Sequence, residues 1–275
     1  MAGINLTPGL RKEYQDLFDS CMIREERENE VNALALRIER NRDQYVAVGG
    51  PLGIPWYFVG VVHNMEASLN FKTHLHNGDP LTSRTVHVPP GRPKTGSPPF
   101  TWAESATDAL KMEGLDKWKD WEMPGLLFKL EAYNGFGYRS RHPEVLSPYL
   151  WSFSSHYIRG KFVSDGTFSR TAVSQQCGAA VLLRRMAETG ALLFDSGGVP
   201  ISADTGGNDA GEQLAEFDPL VRFSKKEKSP LAEELQRALN KFPGVFVRVD
   251  GIPGERTSDA FKKVTGHFLV GDPRS

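Results

Sequence analysis

Apolar residues recur at helical spacing along most of the first 190 residues. Thr7 followed by Pro8 is typical of a helix start, and apolar side chains follow once per turn. The polar stretch 26–45 keeps one apolar face, which predicts a long helix with one side in water. These patterns predict a mainly helical N-terminal region.

A third helix is predicted after Pro55, and its apolar stripe is broad enough to face a core. The stripe consists of Phe58, Val61, Val62, Met65 and Leu69. Glu66 lies at its edge, where partial desolvation would favour a protonated carboxyl group near neutral pH. Glu66 is therefore a candidate general acid.

The stretch from Phe71 to Pro93 changes to turn residues and short β-type segments, and Asn77-Gly78 predicts a β-hairpin. In this hairpin Asp79 could be the second carboxylate facing the acid, and the Thr85 hydroxyl could orient a water molecule. His87 is a weaker candidate for substrate binding. Asp before Pro is also a common turn residue, so a structural role for Asp79 stays open.

Thr101 to Glu104 forms a capping-box pattern that predicts a helix to about Met112. Two more helices are predicted, over 121–133 and 169–188, with an irregular aromatic segment, 136–168, between them. In that segment Tyr149 and Trp151 could stack on sugar rings, although such an aromatic cluster is also typical of a core.

From 190 to 229 the composition shifts to Gly, Ser, Asp, Lys and Pro, which is typical of a linker. The chain then returns to helical patterns around 231–240 and 257–263, with a turn between them. We therefore predict a catalytic domain at 1–190, a linker at 191–229 and a small domain at 230–275.

The charge balance excludes some partners. Lys and Arg number 33 and Asp and Glu 34, so the net charge of −1 gives no reason to expect nucleic acid. The start has no basic stretch followed by an apolar run, and no apolar segment reaches the length of a membrane span, about 18 residues. Cys21 and Cys177 lie in helical patterns and are predicted to be buried free thiols. We expect a monomer without membrane contact, made in the cytoplasm without a signal peptide.

A zinc site is an alternative use of the donors His63, Glu66, His74, His76, Asp79 and His87. Their spacing lacks a familiar pattern such as His-Glu-x-x-His. We therefore predict no metal and no cofactor.

The order Glu66, Asp79, Thr85 resembles the lysozyme-like superfamily, and Asp-x5-Thr has the interval of phage-type lysozymes, although the gap after Glu is shorter in that family. Ala132-Tyr133-Asn134 is similar to the Ala-Tyr-Asn motif of goose-type lysozymes and lytic transglycosylases, although their Glu-Ser pair is Glu66-Ala67-Ser68 here. The resemblance implies that Tyr133 and Asn134 line the cleft near the acid.

Two further stretches carry a resemblance. The stretch 56–186 is similar to a lysozyme-like group of bacteria and phages, with His-Leu-His-Asn-Gly-Asp-Pro-Leu and Ser-Pro-Tyr-Leu-Trp-Ser as hallmarks. The C-terminal segment resembles a three-helix peptidoglycan-binding domain. Its matching residues are Leu235, Gln236, Leu239, Val249, Asp250, Gly251, Gly254, Thr257, Ala260 and Phe261.

The expected fold is α+β and predominantly helical: a lysozyme-like domain with a small β-hairpin, plus a small three-helix C-terminal domain. The resemblance implies a lysozyme or endolysin that hydrolyses the β-1,4 bond between N-acetylmuramic acid and N-acetylglucosamine in peptidoglycan glycan strands. It would act on the cell wall after phage release or non-classical export. A lytic transglycosylase, a zinc amidase and a non-catalytic wall-binding module remain alternatives.

Overall fold

The computed structural model describes residues 4–164, 166–192, 214, 216–218, 220–242 and 244–275. The chain divides into two compact units, Met1–Gln15 with Cys21–Arg185 and Asp16–Ser20 with Met186–Ser275. About 48% of the structure is helical, with one two-stranded antiparallel sheet in the described residues. The predicted class, α+β and mostly helical, is confirmed. Most of the predicted linker, 193–213 with 215 and 219, lies outside the described residues.

Nine helices lie in the described part of the chain up to residue 189. They are α1 Pro8–Asp19, α2 Glu28–Arg40, α3 Arg42–Gly49, α4 Trp56–Ala67, α5 Trp102–Met112, α6 Met123–Tyr133, α7 Gly137–Arg141, α8 Pro148–Trp151 and α9 Ala179–Thr189. The capping box that opens α5 is present, with Thr101 and Glu104 each accepting from the other's backbone N–H. Cys21 and Cys177 are both buried and are not joined in a disulfide, as predicted.

Helix α4 is the central element of the larger unit and packs against α2 and α3. Its apolar stripe is buried, which confirms that this helix faces the core. Gly60 allows α2 to come close, because a Cβ atom there would lie 2.5 Å from Cγ2 of Ile38. Burial of this stripe fixes the helix that carries Glu66.

Two predicted helices have different limits. The helix expected over 26–45 is interrupted at Asn41, where φ is −102° and ψ is 14°, so α2 and α3 are separate. The helix expected from Ser169 begins only at Ala179. Gly178 packs against α8, where a Cβ atom would lie 2.3 Å from the Leu150 carbonyl oxygen, and Val173 is 42% exposed.

The prediction of a β-hairpin at 71–93 is wrong. Of its described residues, only Thr73 and Pro80 form an isolated bridge, and the segment otherwise consists of turns. Its many prolines lack the N–H group that a strand ladder needs. The sheet lies instead in the segment expected to be irregular, where β1 (Lys161–Ser164) pairs antiparallel with β2 (Thr167–Ser169).

The smaller unit has its own apolar core and two helices in residues 216–275 as described, α10 (Pro230–Leu239) and α11 (Glu255–Thr265). The predicted order of helix, turn and helix is confirmed, while a third helix stays a prediction. Gln236 is buried, and its Oε1 accepts hydrogen bonds from Asp250 N (2.9 Å) and Gly251 N (2.8 Å). The Leu-Gln and Asp-Gly motifs therefore meet to hold the turn before α11.

In the described residues no single helix is long and apolar enough to cross a membrane. One bent pair, Arg42–Leu52 with Trp56–Ala67, meets that test by length and composition only.

Candidate active site

Glu66 lies in the last turn of α4, next to an abrupt change of chain direction. Ser68 and Leu69 both have positive φ, 50° and 57°, a conformation that ends the helix and is unfavourable for residues other than glycine. The backbone N–H of Leu69 donates to the His63 carbonyl (3.2 Å), and its side chain is buried. This contact and the burial of Leu69 hold the turn that places Glu66 at a helix end.

The Glu66 carboxyl group is half-buried and accepts a hydrogen bond from the Tyr149 hydroxyl at 2.9 Å on Oε1. Burial raises the pKa of Glu66 to about 7, and the negative charge of Glu113 adds to this, while the Tyr149 hydrogen bond acts in the opposite direction. Glu66 therefore keeps a protonated fraction near neutral pH. A carboxyl group in this state can donate a proton in general acid catalysis.

Tyr149 is held in position by the short helix α8. Pro148 starts this helix, and the Gly178 N–H donates to Ser152 O (3.0 Å) just after it. Trp151, on the same helix, is only 1% exposed, and its ring packs edge-on against His156 at 5.2 Å. Contrary to the prediction, Trp151 is therefore a core residue and cannot stack on a sugar in this structure.

Tyr133 ends α6 and lies in the same electrostatic environment as Glu66. Burial, together with the negative charges of Glu66 and Glu113, raises the pKa of Tyr133 well above its ordinary value. Burial and the charge of Glu66 likewise raise the pKa of Tyr149. The structure thus brings Tyr133 and Tyr149, two residues chosen from the sequence, close to Glu66.

A cavity of about 440 Å³ opens beside Tyr149. Its wall combines the end of α6, α7, α8 and the β1–β2 hairpin. The lining residues are Asn134, Gly135, Gly137, Tyr138, Arg141, Pro148, Tyr149, Lys161, Phe162, Ser164, Gly166, Ser174 and Gln176. Asn134 and Tyr149, both predicted to contact substrate, therefore share one cavity of a size typical for small-ligand sites.

Asp79 uses its carboxylate within its own loop. Oδ2 accepts from Val86 N (2.8 Å), His87 N (3.0 Å) and Asn77 Nδ2 (3.0 Å), and Oδ1 lies 2.6 Å from His87 Nδ1. The hydrogen bond from His87, with the backbone donors, holds the pKa of Asp79 well below its ordinary value. These contacts are those of a turn-closing residue, the alternative left open by the sequence.

Thr85 and His87 also serve this loop. The Thr85 hydroxyl donates to Pro89 O (2.5 Å) and accepts from Arg92 N (2.9 Å), and the residue is only 3% exposed. Its one hydroxyl proton is therefore already used, and it has no proton to give to a water molecule in this arrangement. The His87 side chain is 79% exposed, and its described contact is with Asp79 rather than with the cavity.

The histidines of the zinc alternative make hydrogen bonds to other side chains, and Ser105 Oγ lies near Nδ1 of both His74 (2.8 Å) and His76 (3.5 Å). His63 Nδ1 meets Tyr45 Oη (3.1 Å), His74 Nδ1 meets Ser105 Oγ (2.8 Å) and His76 Nε2 meets Asp108 Oδ2 (2.8 Å). Among the described residues no group of three or more His, Cys, Asp or Glu side chains is placed to hold a metal ion.

Sequence patterns missed several residues near Glu66 and around the cavity beside Tyr149. Glu113 follows the last turn of α5, and Gln176 donates to the Met65 carbonyl (2.8 Å) from the loop before α9. Arg141 and Lys161 line the cavity. None of them belongs to a motif or a regular spacing with Glu66, so only long-range packing reveals them.

No protein-family model, no curated protein and no solved structure matches this chain. Function is therefore inferred from the residues and contacts described above.

Proposed function

We propose that this protein cleaves the β-1,4 bond between N-acetylmuramic acid and N-acetylglucosamine in peptidoglycan, with Glu66 as the general acid. One observation carries the proposal: a half-buried carboxyl group with a pKa of about 7 receives a hydrogen bond from Tyr149, a residue that lines a polar cavity. Such a group is what protonation of a glycosidic oxygen requires.

In the proposed reaction the protonated Glu66 gives its proton to the leaving oxygen while the glycosidic bond breaks. Positive charge develops on the sugar as an oxocarbenium-like transition state. The Tyr149 hydroxyl, 2.9 Å from Oε1, stabilises the carboxylate that Glu66 becomes. Tyr133 and Asn134 are proposed to hold the sugar beside the acid, in agreement with the Ala-Tyr-Asn resemblance.

Two outcomes are open for the cleaved sugar. In hydrolysis a water molecule attacks, and the sequence predicts that Asp79 with Thr85 activates it. The contacts of Asp79 and Thr85 within their loop favour a second candidate, a lytic transglycosylase. That enzyme needs no water-activating carboxylate, because a hydroxyl group of the muramic acid itself attacks C1, gives its proton to the Glu66 carboxylate and leaves an anhydro end.

The test is digestion of purified peptidoglycan by the wild type, Glu66→Gln and the matched control Glu26→Gln, whose side chain is exposed. Glu66→Gln removes the proton donor with almost no change in side-chain shape. We therefore expect lysis to disappear while the midpoint of thermal unfolding stays close to that of the wild type. Lysis at the wild-type rate by Glu66→Gln would refute the assignment. Mass spectrometry of the products separates the two candidates: reducing ends mean a hydrolase and anhydro ends a transglycosylase.

We also propose that the C-terminal unit retains the chain on the wall. The support is the sequence resemblance, whose residues form the core and the turn of that unit. Cosedimentation of full-length Glu66→Gln with insoluble peptidoglycan measures retention without digestion. Absence of binding would contradict this role.

A further inference from the structure

The described lining of the cavity beside Tyr149 has charge of one sign. Arg141, the last residue of α7, and Lys161, the first residue of β1, both line it, and its described lining contains no acidic side chain. Within the described part of the chain neither cation has an ion pair or a side-chain hydrogen bond. Two cations without anionic partners among the described residues therefore face one cavity.

Polar groups complete the cavity wall. Asn134, Ser164, Ser174 and Gln176 supply amide and hydroxyl groups that can donate hydrogen bonds. Gln176 also joins the wall to the acid, because its amide donates to the carbonyl of Met65, the residue before Glu66. The cationic wall and the proton donor are thus connected through Gln176 on one side and Tyr149 on the other.

We propose that this cavity is a carboxylate-binding subsite in which Arg141 and Lys161 select anionic glycan over neutral polymers of N-acetylglucosamine. The inference rests on the proposed function and names the part of the substrate that is recognised. Arg and Lys side chains are strong partners for carboxylates, and the hydrogen bonds are strengthened by charge. Peptidoglycan offers carboxylates from two sources, the lactyl group of bare muramic acid and the stem peptide.

The experiment compares four soluble glycan strands. Strands with stem peptides carry peptide carboxylates, whereas strands stripped of peptide carry free lactyl carboxylates. A portion of each is converted to neutral amides with carbodiimide and ammonium. The wild type is expected to show a kcat/KM at least about tenfold higher on a carboxylate form than on its amidated form, as for loss of a charge-assisted hydrogen bond.

The deciding variant is the double substitution Arg141→Gln with Lys161→Gln. We expect it to cleave the carboxylate and amidated strands with nearly equal kcat/KM. The matched control, Arg159→Gln with Lys94→Gln, changes two exposed cations outside the cavity lining and is expected to keep the preference. Thermal unfolding of both variants checks that they are folded.

The outcomes distinguish the lactyl group from the stem peptide as the carboxylate that the subsite binds. A preference confined to stripped strands assigns the lactyl group, and one confined to peptide-bearing strands assigns the stem peptide. A wild type without preference, or a double variant that keeps it, would overturn the subsite. If the wild type cleaves no strand, the proposed function fails, and calorimetric binding of the same strands to Glu66→Gln, with and without the double substitution, still tests the subsite.

Discussion

The Tyr149 hydroxyl donates a hydrogen bond to Glu66 Oε1 at 2.9 Å, although the two residues lie 83 positions apart in the chain. Burial favours the neutral form of this carboxyl group, while the hydrogen bond from Tyr149 favours the ionised form. A pKa of about 7 for Glu66 results from these opposing effects, together with the charge of Glu113.

The first prediction concerns pH. Because Glu66 must be protonated to act as an acid, kcat should fall about tenfold per pH unit once the pH rises above about 7. Steady-state rates on peptidoglycan between pH 5 and 9 measure this decrease in kcat. A rate that stays constant from pH 6 to 9, with chemistry rate-limiting, would contradict the role of Glu66 as the acid.

The second prediction concerns two substitutions that should shift the midpoint of this decrease in kcat in opposite directions along the pH axis. Tyr149→Phe removes a hydrogen bond that lowers the pKa of Glu66, so the midpoint should move to higher pH. Glu113→Gln removes a negative charge that raises this pKa, so the midpoint should move to lower pH. Glu26→Gln serves as the control and should keep the wild-type midpoint. Shifts of the same sign in the first two variants would show that these contacts do not set the pKa of Glu66.

The third prediction separates the structural role of Asp79 from a catalytic one. Asp79→Asn removes the charge that Val86 N, His87 N and the His87 ring contact, and should cost about 1–2 kcal/mol of unfolding free energy at pH 7. The folded-state pKa of Asp79 is depressed, so its stabilisation is present above the unfolded-state pKa of about 3.9 and is lost as pH falls through the folded-state value.

Urea unfolding at pH 7 and at successively lower pH values measures this cost for Asp79→Asn. The difference from wild type should shrink as the solution becomes more acidic than about pH 4. Loss of activity in Asp79→Asn with unchanged stability would instead favour the water-activating role and a hydrolase.

The fourth prediction concerns the two aromatic residues of α8. Trp151→Ala should lower the unfolding free energy by about 3–5 kcal/mol, because the side chain is only 1% exposed. Tyr149→Ala should reduce activity much more than stability, since Tyr149 lines the cavity and is half-buried. Denaturant unfolding of both variants measures the loss of stability, and peptidoglycan digestion measures the loss of activity. A Trp151→Ala protein with wild-type stability and weakened sugar binding would instead show that Trp151 is a substrate-binding residue.

The sequence by itself determined the features that depend on local periodicity and turn chemistry. The apolar stripe of α4 predicted a core helix with Glu66 at its edge, and Thr101 with Glu104 marked the start of α5. The burial of both cysteines and the order of elements in the C-terminal unit were also predictable. These features are fixed by residues within a few turns of one another, so a linear pattern contains them.

Only the tertiary structure decided that Tyr149 and Glu113 contact or influence Glu66, whereas the Ala-Tyr-Asn resemblance already implied a place for Tyr133 near the acid. Tyr149, Tyr133 and Glu113 come from three separate segments, and long-range packing rather than spacing brings them to the acid. Turn residues and Asn77-Gly78 predicted a hairpin at 71–93, but the prolines of that segment interrupt a strand ladder, and the sheet forms at 161–169 instead. Packing also decided the place of Trp151. An aromatic run has the same sequence pattern whether its rings face a core or a cleft. Only the surrounding chain buries the Trp151 ring and leaves Tyr149 beside Glu66.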